Sequence, residues 1–126
     1  MGQDAEMGPS VLFVEDDDHI RLTLRLNLED DGFEVTEAST GEQGITLALS
    51  TPIDVAIVDL LLPGIQGFDV VRAIRAQSKM PIVILTAQSD THDVVAGLEA
   101  GADDYLIKPF SPLQLIETIE RLMPEV

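Results

Sequence analysis

Asp54-Val-Ala-Ile-Val-Asp59-Leu-Leu-Leu-Pro63-Gly64-Ile-Gln-Gly67 runs four apolar residues straight into an acid and then into a turn. Val55 to Val58 combine unbroken apolarity with β-branched side chains, as expected of a strand buried on both faces in a parallel sheet. Pro63-Gly64 then breaks the chain. Asp59 therefore stands at the C-terminal end of a buried strand, the edge at which open α/β sheets bind ligands. A lone acid there also fits an ordinary solvated strand end, so its meaning depends on what other strands carry at the same edge.

Three further apolar runs supply the comparison. Val11-Leu-Phe-Val14 leads into Glu15, Asp16, Asp17 and Asp18; Pro81-Ile-Val-Ile-Leu-Thr86 ends in a hydroxyl; Asp103-Asp-Tyr-Leu-Ile107 is followed by Lys108. Phe33-Glu-Val-Thr-Glu37 adds a short, half-exposed strand. Helices are predicted between them, over His19–Asp31, Gly41–Ser50, Gly67–Gln77, Asp90–Ala100 and Leu113–Met123. The first contains Leu22-Thr-Leu-Arg-Leu-Asn-Leu28, whose strict alternation taken alone reads as a strand. Leu, Arg and Asn lack strand character, however, and Ile20, Leu24 and Leu28 form an i, i+4, i+8 stripe, so a helix is expected with Asp17 or Asp18 as N-cap. Leu22 and Leu26 lie on another side, where packing against a neighbouring helix is expected ahead of the alternative, a partner surface. In the third helix Phe68, Val71 and Ile74 should face inward, and Arg72 and Arg75 outward. Gly97 should weaken the fourth, and Leu115, Ile116, Ile119 and Leu122 should anchor the last. Five strand–helix units imply right-handed crossovers and a doubly wound α/β domain, a parallel sheet covered on both faces.

Composition narrows the function classes. Seven basic against 23 acidic residues give a net charge of −16, which opposes direct contact with nucleic acid or anionic lipid. There is no cysteine, hence neither a disulfide framework nor thiolate chemistry. A hydrophobic content of 45% with only 4% aromatic residues, and a mean hydropathy of +0.20, describe an aliphatic core. Met1–Ser10 lacks the basic flank and apolar centre of a secretory signal, and no apolar run reaches the length of a membrane span. The expectation is a cytoplasmic protein with a leader at 1–10, one domain at 11–124 and a tail at 125–126.

Acid cluster, acid, hydroxyl and lysine at the ends of four parallel strands share one sheet edge. Clustered carboxylates repel one another and call for a cation, and hard oxygen ligands favour Mg2+ or Mn2+. With Thr86 and Lys108 beside them, such a pocket can hold a phosphoryl group on Asp59. Phosphorylation of Asp59 is the chemistry suggested.

These residues resemble the receiver domain of two-component response regulators. The resemblance rests on Val11-Leu-Phe-Val-Glu-Asp-Asp17, Asp59-Leu-Leu-Leu-Pro-Gly-Ile-Gln-Gly67, Pro81-Ile-Val-Ile-Leu-Thr-Ala87 and Gly97-Leu-Glu-Ala-Gly-Ala-Asp-Asp-Tyr-Leu-Ile-Lys-Pro-Phe110. It implies a flavodoxin-like strand order 2-1-3-4-5. It further implies that Asp59 accepts phosphate from a histidine kinase or phosphotransfer protein. Glu15, Asp16, Asp59 and the Leu61 backbone carbonyl would hold Mg2+, with Asp17 a weaker candidate. Thr86 and Tyr105 would act as the switch, Lys108 would contact the phosphoryl group, and the Lys108–Pro109 peptide would be cis. Phosphorylation would shift a population between two states and alter the face from Asp90 to Met123, read by an effector domain or protein.

The 101–112 stretch is similar to receivers joined to winged-helix transcription factors, whose last helix dimerises through basic residues. Here Glu117 and Glu120 stand where cations would meet Asp103 and Asp104, and like charges oppose that interface; monomer and phosphorylation-dependent dimer are both carried forward. Leu61, two residues past the acceptor, and Gln88, two past Thr86, flank the path of attacking water, and an apolar Leu61 cannot orient it. Slow loss of phosphate is expected. Two other functions compete: an aspartyl-nucleophile phosphatase, for which Leu61 replaces the second acid, and a receiver-like scaffold that takes no phosphate. The chain is expected not to be an enzyme beyond catalysing its own phosphorylation and dephosphorylation.

Overall fold

In the computed structural model, residues 8–87 and 91–123 are described. The strands are β1 (Ser10–Val14), β2 (Glu34–Ala38), β3 (Val55–Asp59), β4 (Ile82–Thr86) and β5 (Asp104–Ile107), and the helices are α1 (Asp18–Asp30), α2 (Gly41–Ser50), α3 (Gly67–Arg75), α4 (Thr91–Ala100) and α5 (Pro112–Leu122). All pairings are parallel, in the order β2-β1-β3-β4-β5. Most of the leader (1–7), Gln88, Asp90 and the tail lie outside the described residues. Ser10 belongs to β1, one residue earlier than the apolar run suggests, because it pairs with Glu34 of β2; its N–H also reaches Asp54 Oδ2 at 2.7 Å.

The sheet separates two cores, as the period of two along each strand requires. Leu12, Val14, Ala56, Val58, Ile82 and Ile84 pack on one face against Ala48 of α2 and Val70, Val71 and Ile74 of α3. Val11, Phe13, Val55, Ile57, Val83 and Leu85 pack on the other against Leu24 and Leu28 of α1 and Leu115 and Ile119 of α5. β1, β3 and β4 are therefore buried on both faces, and β2 and β5 form the half-exposed edges.

Several sequence expectations change in detail. The alternating segment is the helix α1, capped by Asp17, whose side chain accepts from the N–H groups of His19 and Ile20. Leu22 and Leu26 do not pack against a helix: they are 44% and 52% exposed, because α5 packs with α1 over the inward stripe and, among the described residues, no element covers the opposite side. Arg75 does not point outward either. Its guanidinium folds over the N-terminal edge of the sheet, donating to the carbonyls of Gly101 (2.9 Å), Ser78 (3.1 Å) and Met80 (2.8 Å) and to Asp103 Oδ2 (2.7 Å). Loop carbonyls at that edge need donors, and arginine carries five N–H groups.

α3 approaches the sheet at Gly67. A β-carbon there would stand 2.4 Å from the Asp59 carbonyl oxygen and 2.5 Å from Leu60 Cα, both backbone atoms that cannot rotate away. Gly67→Ala is expected to destabilise the fold by about 3 kcal/mol, read as a lower urea midpoint with an unchanged slope.

Candidate functional site

Register brings the polar strand ends together. Val14 pairs with Val58 and Asp59 with Leu85, while Thr86 pairs with Ile107. Glu15 and Asp59 thus fall on the next rung with the same facing, and Lys108 lies one step beyond β5. Glu15 and Asp59 are 1% and 2% exposed, Thr86 is also buried, and Asp16 is exposed.

Carboxylate oxygens of Glu15, Asp16 and Asp59 come within 4.8 Å of one another. Lys108 Nζ donates to Asp59 Oδ2 at 2.8 Å and to Glu15 Oε1 at 3.3 Å. The Leu61 N–H donates to Asp59 Oδ1 at 3.0 Å, and the Asp17 N–H to Glu15 Oε2 at 3.1 Å. The Lys108 backbone N–H donates to the Thr86 carbonyl at 2.7 Å, and the Lys108–Pro109 peptide is cis.

Two buried carboxylates share one ammonium, and the electrostatics register the imbalance. Burial, with the hydrogen bond and negative charge of Asp59, pushes the Glu15 carboxyl up from its usual 4.5 to about 7. Burial also works against the charge on Lys108, but its bonds to Asp59 and Glu15 outweigh that and hold its pKa above the ordinary lysine value. An excess of buried anionic oxygen, open to solvent through Asp16, fits a hard divalent cation. Asp17 is drawn away from this set. Its carboxylate caps α1, and the Ile20 and His19 N–H groups hold its pKa below the ordinary range.

Leu61 projects its side chain into solvent, 66% exposed, at the rim of the pocket. Tyr105, on the edge strand, is 37% exposed and borders a cleft of about 160 Å3 with Thr91, Val94 and Ile107. Asp103 and Asp104 are engaged within the chain, by Arg75 and by Arg121 respectively.

Sequence reasoning passed over Arg21. From the first turns of α1 its Nη1 donates to the Glu15 backbone carbonyl at 2.7 Å, its Nε to Glu37 Oε1 at 3.0 Å and its Nη2 to Asp18 Oδ1 at 2.5 Å. Arg25 Nε lies 2.8 Å from the other Glu37 oxygen, an ion pair without hydrogen-bond alignment. The signal available was one arginine shortly after a run of acids.

Comparison with known proteins agrees with this arrangement. Residues 11–120 match the response regulator receiver domain. The chain is 50% identical over 101 residues to the transcriptional regulatory protein AfsQ1 of Streptomyces coelicolor, covering 80% of this chain and 45% of that protein. It is 43% identical over 113 residues to the DNA-binding response regulator MtrA of Mycolicibacterium smegmatis, covering 90% of this chain and 50% of that one. The chain thus spans about half the length of these curated relatives. Among solved structures, the chemotaxis protein CheY4 of Vibrio cholerae superimposes with a TM-score of 0.86 at 35% identity, covering 91% of this chain and 98% of that one. No helix among the described residues is long and apolar enough to cross a membrane. With the sheet order, the acid pocket and these likenesses in agreement, the chain belongs to the receiver domains of two-component response regulators, a family of signal transduction proteins.

Proposed function

We propose that this receiver takes a phosphoryl group from a phosphohistidine onto Asp59 and thereby changes the face formed by α4, β5 and α5. The observation that carries the proposal is the pair of buried carboxylates, Glu15 and Asp59, sharing Lys108 at the C-terminal edge of the sheet. In the transfer an Asp59 oxygen forms a bond to phosphorus as the phosphorus–nitrogen bond to the donor imidazole breaks, and the imidazole keeps the electron pair. Lys108 stays within reach of the transferred oxygens and offsets their charge. Thr86, buried at the end of β4, would donate its hydroxyl proton to one of them. Glu15, Asp16, Asp59 and the Leu61 carbonyl would hold Mg2+ or Mn2+, which when bound neutralises charge on the phosphoryl oxygens.

The cleft beside Tyr105 offers room for its ring to move once Thr86 shifts, so the change reaches the outer face as a population shift. Beside Glu117 and Glu120 on α5, the one cation is Arg121, already paired with Asp104 inside the chain, which leaves little for the acids of a second copy to meet. The name of MtrA, a DNA-binding response regulator, and that of AfsQ1, a transcriptional regulatory protein, support a DNA-binding module as the output, with the receiver itself in the cytoplasm. The receiver occupies residues 11–124 and acts as a switch rather than a turnover enzyme.

The test is to supply Mg2+ and a small-molecule phosphodonor, or beryllofluoride. A mass gain of one phosphoryl group, or amide shifts around Asp59, is expected; neither appearing would overturn the reading. Steady release of phosphate from added esters would favour the phosphatase instead. The exposed Leu61 offers water no polar contact at the pocket rim. Leu61→Asn is therefore expected to speed phosphate loss by about fivefold to tenfold, the effect of one hydrogen bond to the attacking water, followed as decay of the phosphorylated mass.

A further inference from the structure

Arg21 stands outside the set of acids, yet it grips the backbone that carries two of them. The carbonyl of Glu15 belongs to the peptide joining Glu15 to Asp16, so a donor fixed on that oxygen fixes the plane from which both side chains leave. Arg21 supplies the donor at 2.7 Å. The guanidinium cannot swing freely, because Glu37 of β2 holds it from behind and Asp18 from the side. These bonds also hold its pKa above the ordinary arginine value, although burial works the other way. Asp16 is exposed, so its place in the pocket depends on its backbone, and that backbone is held from α1. The Glu15 N–H is fixed in turn by the Ala38 carbonyl at 3.0 Å. Both sides of Glu15 are thereby tied to neighbouring elements.

We propose that Arg21 is a positioning residue of the acid pocket: braced by Glu37 and Asp18, it fixes the Glu15–Asp16 peptide and so sets the pocket's affinity for a divalent cation. This inference rests on the reading of Glu15, Asp16 and Asp59 as the cation's ligands. Two physical effects of Arg21 oppose each other and allow a decision. As a positive charge near three carboxylates it weakens cation binding, whereas as a clamp on ligand geometry it strengthens it. Groups that orient metal ligands typically contribute about tenfold or more in metal affinity. A lysine at position 21 keeps the charge but replaces the planar fork, which can serve three acceptors at once, with a point donor.

The experiment titrates MgCl2 into the full chain, following backbone amide shifts, for wild type, Arg21→Lys and Arg21→Gln. Thermal unfolding of each in chelator is measured alongside. The expected result is an Mg2+ affinity lowered about tenfold in Arg21→Lys despite its retained charge, and lowered also in Arg21→Gln. A purely structural role would lower the unfolding midpoint in chelator while leaving the Mg2+ affinity of Arg21→Lys at the wild-type value; that result overturns the proposal. Tighter binding by Arg21→Gln, the signature of charge alone, overturns it too. Should Arg21→Gln fail to fold, Arg21→Lys decides by itself. Absence of saturable Mg2+ binding by wild type would instead overturn the ligand reading on which the inference rests.

Discussion

Asp59→Asn is expected to abolish uptake of a phosphoryl group from any donor while the chain stays folded. The amide has no anionic oxygen to form the acyl phosphate, and no neighbour can replace it. Among the described residues Glu15 is the only other carboxylate as deeply buried at that edge, and its oxygens already serve Lys108 and the Asp17 N–H. The fold should tolerate the change, since the amide oxygen still accepts from Leu61 and Lys108 keeps Glu15. Mass spectrometry after exposure to donor and Mg2+ reads the first outcome, and a cooperative melting curve reads the second. The substitution should also alter the response to pH in chelator. In wild type the folded chain keeps a proton on Glu15 up to about pH 7, whereas the unfolded chain releases it near 4.5. The folded state binds more protons in that window, so stability falls as pH rises through it. Removing the Asp59 charge takes away part of the cause, and the fall should become shallower.

Lys108→Gln should reduce phosphorylation by about a hundredfold to a thousandfold, as removal of one preorganised donor to developing charge does in other group transfers. It should also weaken the metal-free fold, because two buried carboxylates then face each other without their shared cation. The two effects separate on adding Mg2+. Charge neutralisation at the pocket restores the melting midpoint, but the cation cannot stand where the ammonium meets the phosphoryl oxygens. Recovery of stability without recovery of rate is the expected pattern. A variant that regained full rate with Mg2+ would place Lys108 outside the transfer.

Much of this site was legible in the sequence, because each acid, hydroxyl or amine follows an apolar run and parallel pairing then aligns the ends. The order of the strands came from the motifs, and the observed sheet has it. α1 was legible as a helix despite its alternating leucines, since only the i, i+4 stripe can meet a core. Which leucines stay bare was not, because that depends on where α5 packs. Arg21 and Arg75 were illegible for another reason. Both serve backbone carbonyls, which every residue possesses, so the acids near them in sequence do not tell which main-chain groups they hold. The pairing of Asp104 with Arg121 likewise depends on how β5 and α5 meet, which no local pattern encodes.

The packing of Gly67 onto the Asp59 carbonyl makes the site mechanically lopsided. On that side backbone lies against backbone at a spacing that leaves no slack, so α3 is a rigid stop. On the other side stand the ends of β4 and β5 and the helix α4, whose buried Gly97 meets the end of the Ile84 side chain, which can give, rather than backbone, which cannot. A bulky, charged group added at Asp59 meets a wall in one direction and a yielding partition in the other. Under the proposed function, displacement would be steered toward α4 and β5 before any specific hydrogen bond is made, and the direction of signalling would already be present in the resting fold as a difference in stiffness.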